Sequence, residues 1–211
     1  MRKFWSISSA AYALALGLAL TLAAPAPAAT LDLAQALSER VLGDKDAPVT
    51  IQSFESLTCS HCAAFEKETM PKIKKAYIDT GQVKFVFNDF PLDSRAMVAA
   101  MVARCVAPER YFGMLKLLFT TQETWAAAQT KEAFLDSLGR VARQGGMTEE
   151  QFTACINNEA LYNGIRERVV AADKQHRIDS TPTFLIGDQR IVGAQPFSEF
   201  KKIIDPMLPN K

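Results

Sequence analysis

The sequence predicts an α/β fold interrupted by a block of helices. Three observations carry this. β-like runs at Ala47–Phe54 and Val83–Phe87 frame a helix-forming stretch near the start. No strand pattern occurs between Ser94 and Lys174. Short apolar runs at Thr183–Ile186 and Arg190–Val192 then restore the strand texture before a last helix. Strands that stop, give way to helices and resume read as two halves of one α/β unit with a helical insertion.

The first 28 residues stand apart as a targeting segment. Arg2 and Lys3 are its basic start, Ala11 to Ala24 its apolar centre, and Ala26-Pro27-Ala28 its small-x-small cleavage site. The apolar centre is short and ends in Pro25 and Pro27, which argues against a membrane anchor. Removing the segment leaves 22 basic and 23 acidic residues, so the charges nearly cancel. That balance gives no footprint for nucleic acid. The expected parts are a signal segment at 1–28, a first α/β part at 29–93, a helical insertion at 94–176 and a second α/β part at 177–211. The four cysteines lie beyond the leader, in a protein expected outside the cytoplasm, where disulfides persist.

Thr30 to Leu42 reads as a short amphipathic helix with Leu31, Leu33, Ala34, Leu37 and Val41 on one side. Gly43 to Pro48 is a turn. The strand that follows alternates Val49, Ile51 and Ser53, and leads into Cys59-Ser60-His61-Cys62. Thr58 is the expected N-cap of the next helix, which carries Phe65, Met70, Ile73 and Tyr77 at helical spacing. Pro71 should kink or divide that helix, and Gly81 should stop it. In the strand Val83–Phe87, Val83, Phe85 and Phe87 share a face.

Within the insertion, Ser94 is expected to cap a helix running to Cys105, and Pro108 to start a second. Thr130 caps a third that ends at Gly145-Gly146. Thr148-Glu149-Glu150-Gln151 is a capping box for a fourth, and a fifth spans Leu161 to Lys174. The aromatic and Met positions here read as core. Gly187-Asp188-Gln189 punctuates a hairpin between the last strands, and Ser198 to Pro206 is a final helix.

The pair Cys59 and Cys62 carries the chemistry. Two thiols three positions apart, where a strand hands over to a helix, form a dithiol that can open and close as a disulfide. Unpaired N–H groups and the helix dipole favour an anion at Cys59, and His61 can add a hydrogen bond or a positive charge. A C-x-x-C pair also serves as half of a zinc site or as a structural pair. A four-cysteine zinc site needs a second close pair, and Cys105 and Cys155 lie 50 positions apart. Cys59, His61 and Cys62 together could hold a soft metal such as Cu(I).

Three segments carry a family resemblance: Phe54-Glu55-Ser56-Leu57-Thr58-Cys59-Ser60-His61-Cys62, then Asp89-Phe90-Pro91-Leu92, then Ser180-Thr181-Pro182-Thr183-Phe184. In this order they resemble the DsbA family of thioredoxin-fold, periplasmic thiol–disulfide oxidoreductases. The resemblance implies a thioredoxin-like fold with an inserted helical domain. It implies a cis proline at Pro182 beside the disulfide, with the Thr181 backbone open to an extended substrate. It also implies catalytic roles for Cys59, Cys62, His61, Thr181 and Pro182. The family often has an acid six residues before the first cysteine. Here Ser53 holds that place and Glu55 is the nearest acid.

The resulting expectation is an enzyme that introduces disulfides into exported proteins. Cys59 is the exchanging sulfur and Cys62 the buried, resolving one, with a more ordinary pKa. No cofactor or metal is expected. The partners implied are reduced exported proteins and a DsbB-like membrane reoxidant, with the chain a monomer in the periplasm. An isomerase or reductase of the same fold is the nearest alternative, and the short stretch before Val49 disfavours a dimerisation segment. Cys105 and Cys155 are expected to form a structural disulfide because the compartment is oxidising, with two buried free thiols as the alternative. His176, near the end of the fifth helix, suits the helix dipole better than a catalytic role.

Overall fold

The architecture is that of a computed structural model describing Met1 and residues 31–209. The leader reading at 1–28 lies outside the described residues. The chain opens with α1 (Leu33–Ala36), β1 (Arg40–Leu42) and β2 (Val49–Glu55). Next come α2 (Ser60–Glu68), α3 (Met70–Ile73), a π-helical turn at Lys74–Ile78 and β3 (Val83–Asp89). Helices α4 (Ser94–Arg104), α5 (Tyr111–Thr120), α6 (Gln122–Ala126), α7 (Lys131–Gln144), α8 (Glu149–Ile156) and α9 (Glu159–His176) follow without a strand between them. The hairpin β4 (Thr183–Ile186) and β5 (Gln189–Val192) and the helix α10 (Phe197–Ile204) complete the order.

Among the described residues the strands form one five-stranded sheet in the order β1-β3-β2-β4-β5. β2 runs parallel to β3 with Ser53 opposite Phe87, and antiparallel to β4 with Phe54 opposite Thr183. The parallel pair needs a crossover, and α2, α3 and the π turn supply it. This register puts the ends of β2 and β3 and the start of β4 at one edge, where Cys59 and Pro182 meet.

The first helix is shorter than its periodicity suggests. Asp32 caps it by accepting the Gln35 N–H, and by Arg40 the chain is a strand. Arg40 pairs with Phe87 and Leu42 with Phe85, so strand pairing at the sheet edge overrides the helical pattern. The cysteine helix breaks at Thr69, and Pro71 falls in the first turn of α3, where no N–H is required of it. Gly81 sits at φ +71°, a left-handed turn open to glycine.

Phe65 fixes α2 to the sheet. Its ring lies 6.3 Å from Phe85, 4.4 Å from Phe184 and 5.6 Å from Phe200, so one side chain joins α2, β3, β4 and α10. Burying such a residue contributes roughly 2–3 kcal/mol. Phe87 packs edge-on against Tyr111 and Phe119, docking α5 on β3. Around Phe54, Phe90 and Ile178 form a smaller buried cluster with Val169 and Ala172 of α9.

Asp93, rather than Ser94, caps α4: its Oδ1 accepts the Ala96 N–H at 2.8 Å, and Ser94 is the first helical residue. Pro108 opens a 3₁₀ turn that leads into α5. The short α6 has no counterpart in the sequence reading. Thr130 caps α7, and Thr148 and Gln151 form the reciprocal capping box of α8. Asn158 caps α9, which therefore starts before Leu161, and α9 ends at Arg177 with φ 50°.

Two bonds brace the insertion. Arg104 at the end of α4 is buried and paired with Asp89 at the end of β3. Its Nη1 also donates to the carbonyl oxygens of Ala36 and Ser38, pinning the N-terminal segment. Cys105 is disulfide-bonded to Cys155, which joins the end of α4 to α8 with Cα atoms 6.1 Å apart. No helix among the described residues is long and apolar enough to cross a membrane.

Candidate active site

Cys59 is itself the N-cap residue of α2, in an extended conformation, with no side-chain oxygen capping the helix. Thr58, expected in that role, instead donates its hydroxyl to Asp93 Oδ2 at 2.7 Å. The helix N-terminus is therefore left to the sulfur. The backbone N–H groups of His61 and Cys62 point at Cys59 Sγ, where an anion gains both their hydrogen bonds and the helix dipole.

Cys59 and Cys62 are both free thiols in this structure, Cys59 partly exposed and Cys62 buried. The Cys62 thiol is the strongest influence on Cys59, donating to its sulfur and drawing its pKa down from 9.0 to about 5, with help from Thr181 and the backbone against the cost of burial. Burial pushes the Cys62 thiol far above its ordinary range, with the Cys59 sulfur and Glu55 adding to the effect. The expectation of a more ordinary pKa for Cys62 is thus corrected. A thiolate would have to form in a dry, negatively charged pocket, so the proton stays on Cys62 while Cys59 ionises.

Thr181 faces Cys59 from the other half of the sheet. The Cys59 thiol donates to the Thr181 carbonyl oxygen at 3.2 Å. The Thr181 hydroxyl is buried and has no partner in this dithiol state, and it is placed to donate once the sulfur is an anion. The Thr181–Pro182 peptide bond is cis. Gly193 donates to the Pro182 carbonyl at 2.8 Å, fixing the loop to the β4–β5 hairpin.

His61 stands exposed at the mouth, and its imidazole has no hydrogen-bond partner among the described residues. No group of three or more His, Cys, Asp or Glu side chains gathers as a metal site among the described residues, so Cys59, His61 and Cys62 are not brought into a ligand cluster. His176 lies elsewhere, its ring 5.5 Å from Phe54. Cys105 and Cys155 are bonded to each other within the helical block, apart from Cys59 and Cys62.

Glu55 is buried, with both carboxyl oxygens unpartnered by hydrogen-bond geometry. Burial raises its pKa well above 4.5, the neighbouring Glu66 adds to the rise, and the Ser53 hydroxyl opposes it. Ser53 and Glu55 lie two apart on β2, hence on one face, so Glu55 occupies the interior beside the place its family pattern gives to an acid. Glu66, one turn beyond Cys62, is raised to about 7 by burial against the pull of Lys116. Glu66 and Lys116 line an open cleft of about 420 Å³ beside α2.

Further residues hold the loop before Cys59 and escaped the sequence reading. Ser56 Oγ accepts the Leu92 N–H at 3.3 Å, and the Ser56 carbonyl accepts the Cys59 N–H at 3.1 Å. Gln122, at the start of α6, donates to the carbonyls of Leu57 and Cys59 at 2.8 and 3.0 Å. A polar residue in a short helix, with no motif around it, gives no local signal for such a role.

Comparison with known proteins agrees with this geometry. The family model described as Thioredoxin matches residues 35–206. The crystal structure of alpha-DsbA1 from Wolbachia pipientis is 31% identical, covers 81% of this chain and 90% of that one, and superposes with a TM-score of 0.74. BdbD from Bacillus subtilis, in its oxidised form, is 25% identical over 80% of this chain and 92% of its own, with a TM-score of 0.71. A putative protein-disulfide oxidoreductase of Rickettsia conorii is 28% identical over 150 residues. That match takes in 71% of this chain but 53% of the relative, so the chain spans about half the length of the curated relative. With a matched sheet, a cysteine pair at the N-terminus of α2 and helices inserted between β3 and β4, the chain belongs to the thioredoxin family, in its DsbA-like group.

Proposed function

We propose that this chain is a thiol–disulfide oxidoreductase that introduces disulfides into exported proteins, with the Cys59–Cys62 disulfide as the oxidant. The observation that carries the reading is the position of Cys59 Sγ at an otherwise uncapped helix N-terminus, with the buried Cys62 thiol donating to it. A sulfur so stabilised as an anion is a good leaving group, and a disulfide whose reduced form is stabilised is a strong oxidant. Each unit of pKa lowered at Cys59 corresponds to about 30 mV of oxidising power.

A substrate thiolate attacks Cys59 Sγ, the Cys59–Cys62 bond breaks, and Cys62 leaves as a thiolate. Cys62 takes a proton, because its buried site rejects the charge. Glu55, whose buried carboxyl holds its proton well above the usual carboxylate range and which acts on Cys62, is the donor we assign to this step, and it regains a proton from solvent. A second substrate thiolate then attacks the substrate sulfur and Cys59 leaves as its stabilised thiolate. The substrate ends as a disulfide, two electrons poorer, and the enzyme as a Cys59 thiolate and a Cys62 thiol. Thr181 and Pro182 form the wall against which the substrate chain lies, and His61 adds a polar face at the mouth.

Turnover requires a second oxidant, for which the family resemblance supplies a DsbB-like, quinone-linked membrane partner. The leader at 1–28 supports a periplasmic site of action, the parts at 29–93, 94–176 and 177–211 act as one unit, and a monomer suffices for the chemistry. The oxidised protein should rapidly oxidise a reduced, unfolded test protein with two cysteines, and Cys59→Ala should abolish this. Failure of the oxidised wild-type protein to transfer its disulfide overturns the reading. Efficient rescue of a scrambled multi-disulfide protein by the reduced form promotes the isomerase instead.

A further inference from the structure

The four residues that lead into α2 are held one by one from the segment that follows β3 and from the insertion. Ser56 is met by the backbone of Leu92, Leu57 by Gln122, Thr58 by Asp93 and Cys59 again by Gln122. Gln122 differs from the others because it holds the carbonyls of both residues that flank Thr58 with one nitrogen. Gln122 is 7% exposed, on an insertion helix 63 positions from Cys59. The identity of its donor atom follows from its partners: two carbonyl oxygens accept from Nε2, and the reversed amide would set oxygen against oxygen.

We infer that Gln122 is a positioning residue of the redox site, clamping the Leu57 and Cys59 carbonyls so that the Cys59 sulfur faces the open N–H groups of α2. The inference rests on the proposed redox function and deepens it, since it gives the insertion a part in setting the strength of the oxidant. Two effects act in the same direction. The clamp fixes the backbone on either side of Thr58, and with it the direction of the Cys59 side chain. It also places a donor dipole on the Cys59 carbonyl, whose partial negative charge otherwise opposes an anion on the same residue. The Cys59 carbonyl keeps one helical bond, from the Ala63 N–H at 3.2 Å, so loss of the clamp shifts the loop without unravelling α2. The neighbouring Trp125 is anchored independently through its indole N–H to the Leu118 carbonyl at 2.9 Å, so α6 has a second attachment.

Gln122→Met keeps the length of the side chain and removes its donors. In the folded, reduced variant the Cys59 midpoint, read by thiolate absorbance, should rise by about one pH unit. The equilibrium of the couple with glutathione should move about tenfold toward the disulfide, or about 30 mV less oxidising. A folded variant with both quantities unchanged overturns the inference. A second measurement needs no variant: hydrogen exchange of the Gln122 side-chain amide in wild-type protein, followed by NMR. Slow exchange, with a shift of the amide signals at the Cys59 midpoint, supports the clamp; exchange as fast as that of an exposed glutamine overturns it. A wild-type protein with no reversible couple overturns the reading of function, and the amide exchange still decides for or against the clamp.

Discussion

The thiol of Cys59 donates to the carbonyl oxygen of Thr181 at 3.2 Å, a contact that spans 122 positions of sequence. It brings the hydroxyl of Thr181 against the sulfur as well, buried and without a partner until the sulfur carries charge. Thr181→Val keeps the shape and the carbonyl but removes that hydroxyl. The expected result is a Cys59 midpoint raised by about half to one unit and a less oxidising couple. Thiolate absorbance and glutathione equilibration in the variant read both.

Glu55 makes stability depend on pH in a definite direction. Its folded pKa lies above the ordinary 4.5, so its contribution is fully present below that value and is lost as pH rises toward the folded pKa. In that window the unfolded chain releases a proton that the folded one keeps. Glu55→Gln removes the ionisation. Urea unfolding of the oxidised forms, in which Cys59 and Cys62 do not titrate, should show the variant gaining on wild type as pH rises above 4.5. A difference independent of pH contradicts the assignment of a buried, neutral carboxyl.

The Cys105–Cys155 bond closes a loop with a sequence separation of 50. By chain entropy it contributes about 4 kcal/mol, an upper figure for a native bridge. Cys105→Ser with Cys155→Ser should lower the unfolding free energy by about 2–4 kcal/mol while the Cys59 midpoint stays in place. Loss of the redox couple in the folded double variant would give the bridge a part in the chemistry.

Asp89→Ala should be among the costliest single changes. It leaves the Arg104 guanidinium, 1% exposed, buried without its counter-ion. Removing one partner of such a pair costs about 3–5 kcal/mol. Arg104 also holds the Ala36 and Ser38 carbonyls, so protease cutting near residues 36–40 should accelerate together with the loss of stability.

The parts of the fold legible in the sequence were those fixed by neighbours along the chain. The Thr148–Gln151 capping box, the hairpin at Gly187 and the alternation of Val83, Phe85 and Phe87 each carry their own local signal. Residues 40–42 misled because their strand is made by pairing with β3, a contact that helical periodicity cannot register. Thr58 misled for a related reason. It is a fit capping residue by type, but a distant carboxylate, Asp93, takes its hydroxyl. The cysteine pair announced itself by spacing, whereas Gln122 became visible only when α6 was packed against the loop it holds. Glu55 stood two positions from its family place, and its burial on the same strand face as Ser53 was needed to recognise it.

The α2 N-terminus and the Cys62 thiol hold Cys59 as a thiolate at neutral pH. Thiolate absorbance at about 240 nm, followed against pH in the reduced protein with Cys59→Ser as the blank, tests it most directly. The expected result is a single transition with its midpoint at about 5, absent from the blank, and no second transition from Cys62 below the alkaline range. A midpoint near the ordinary thiol value of 9.0 would contradict it.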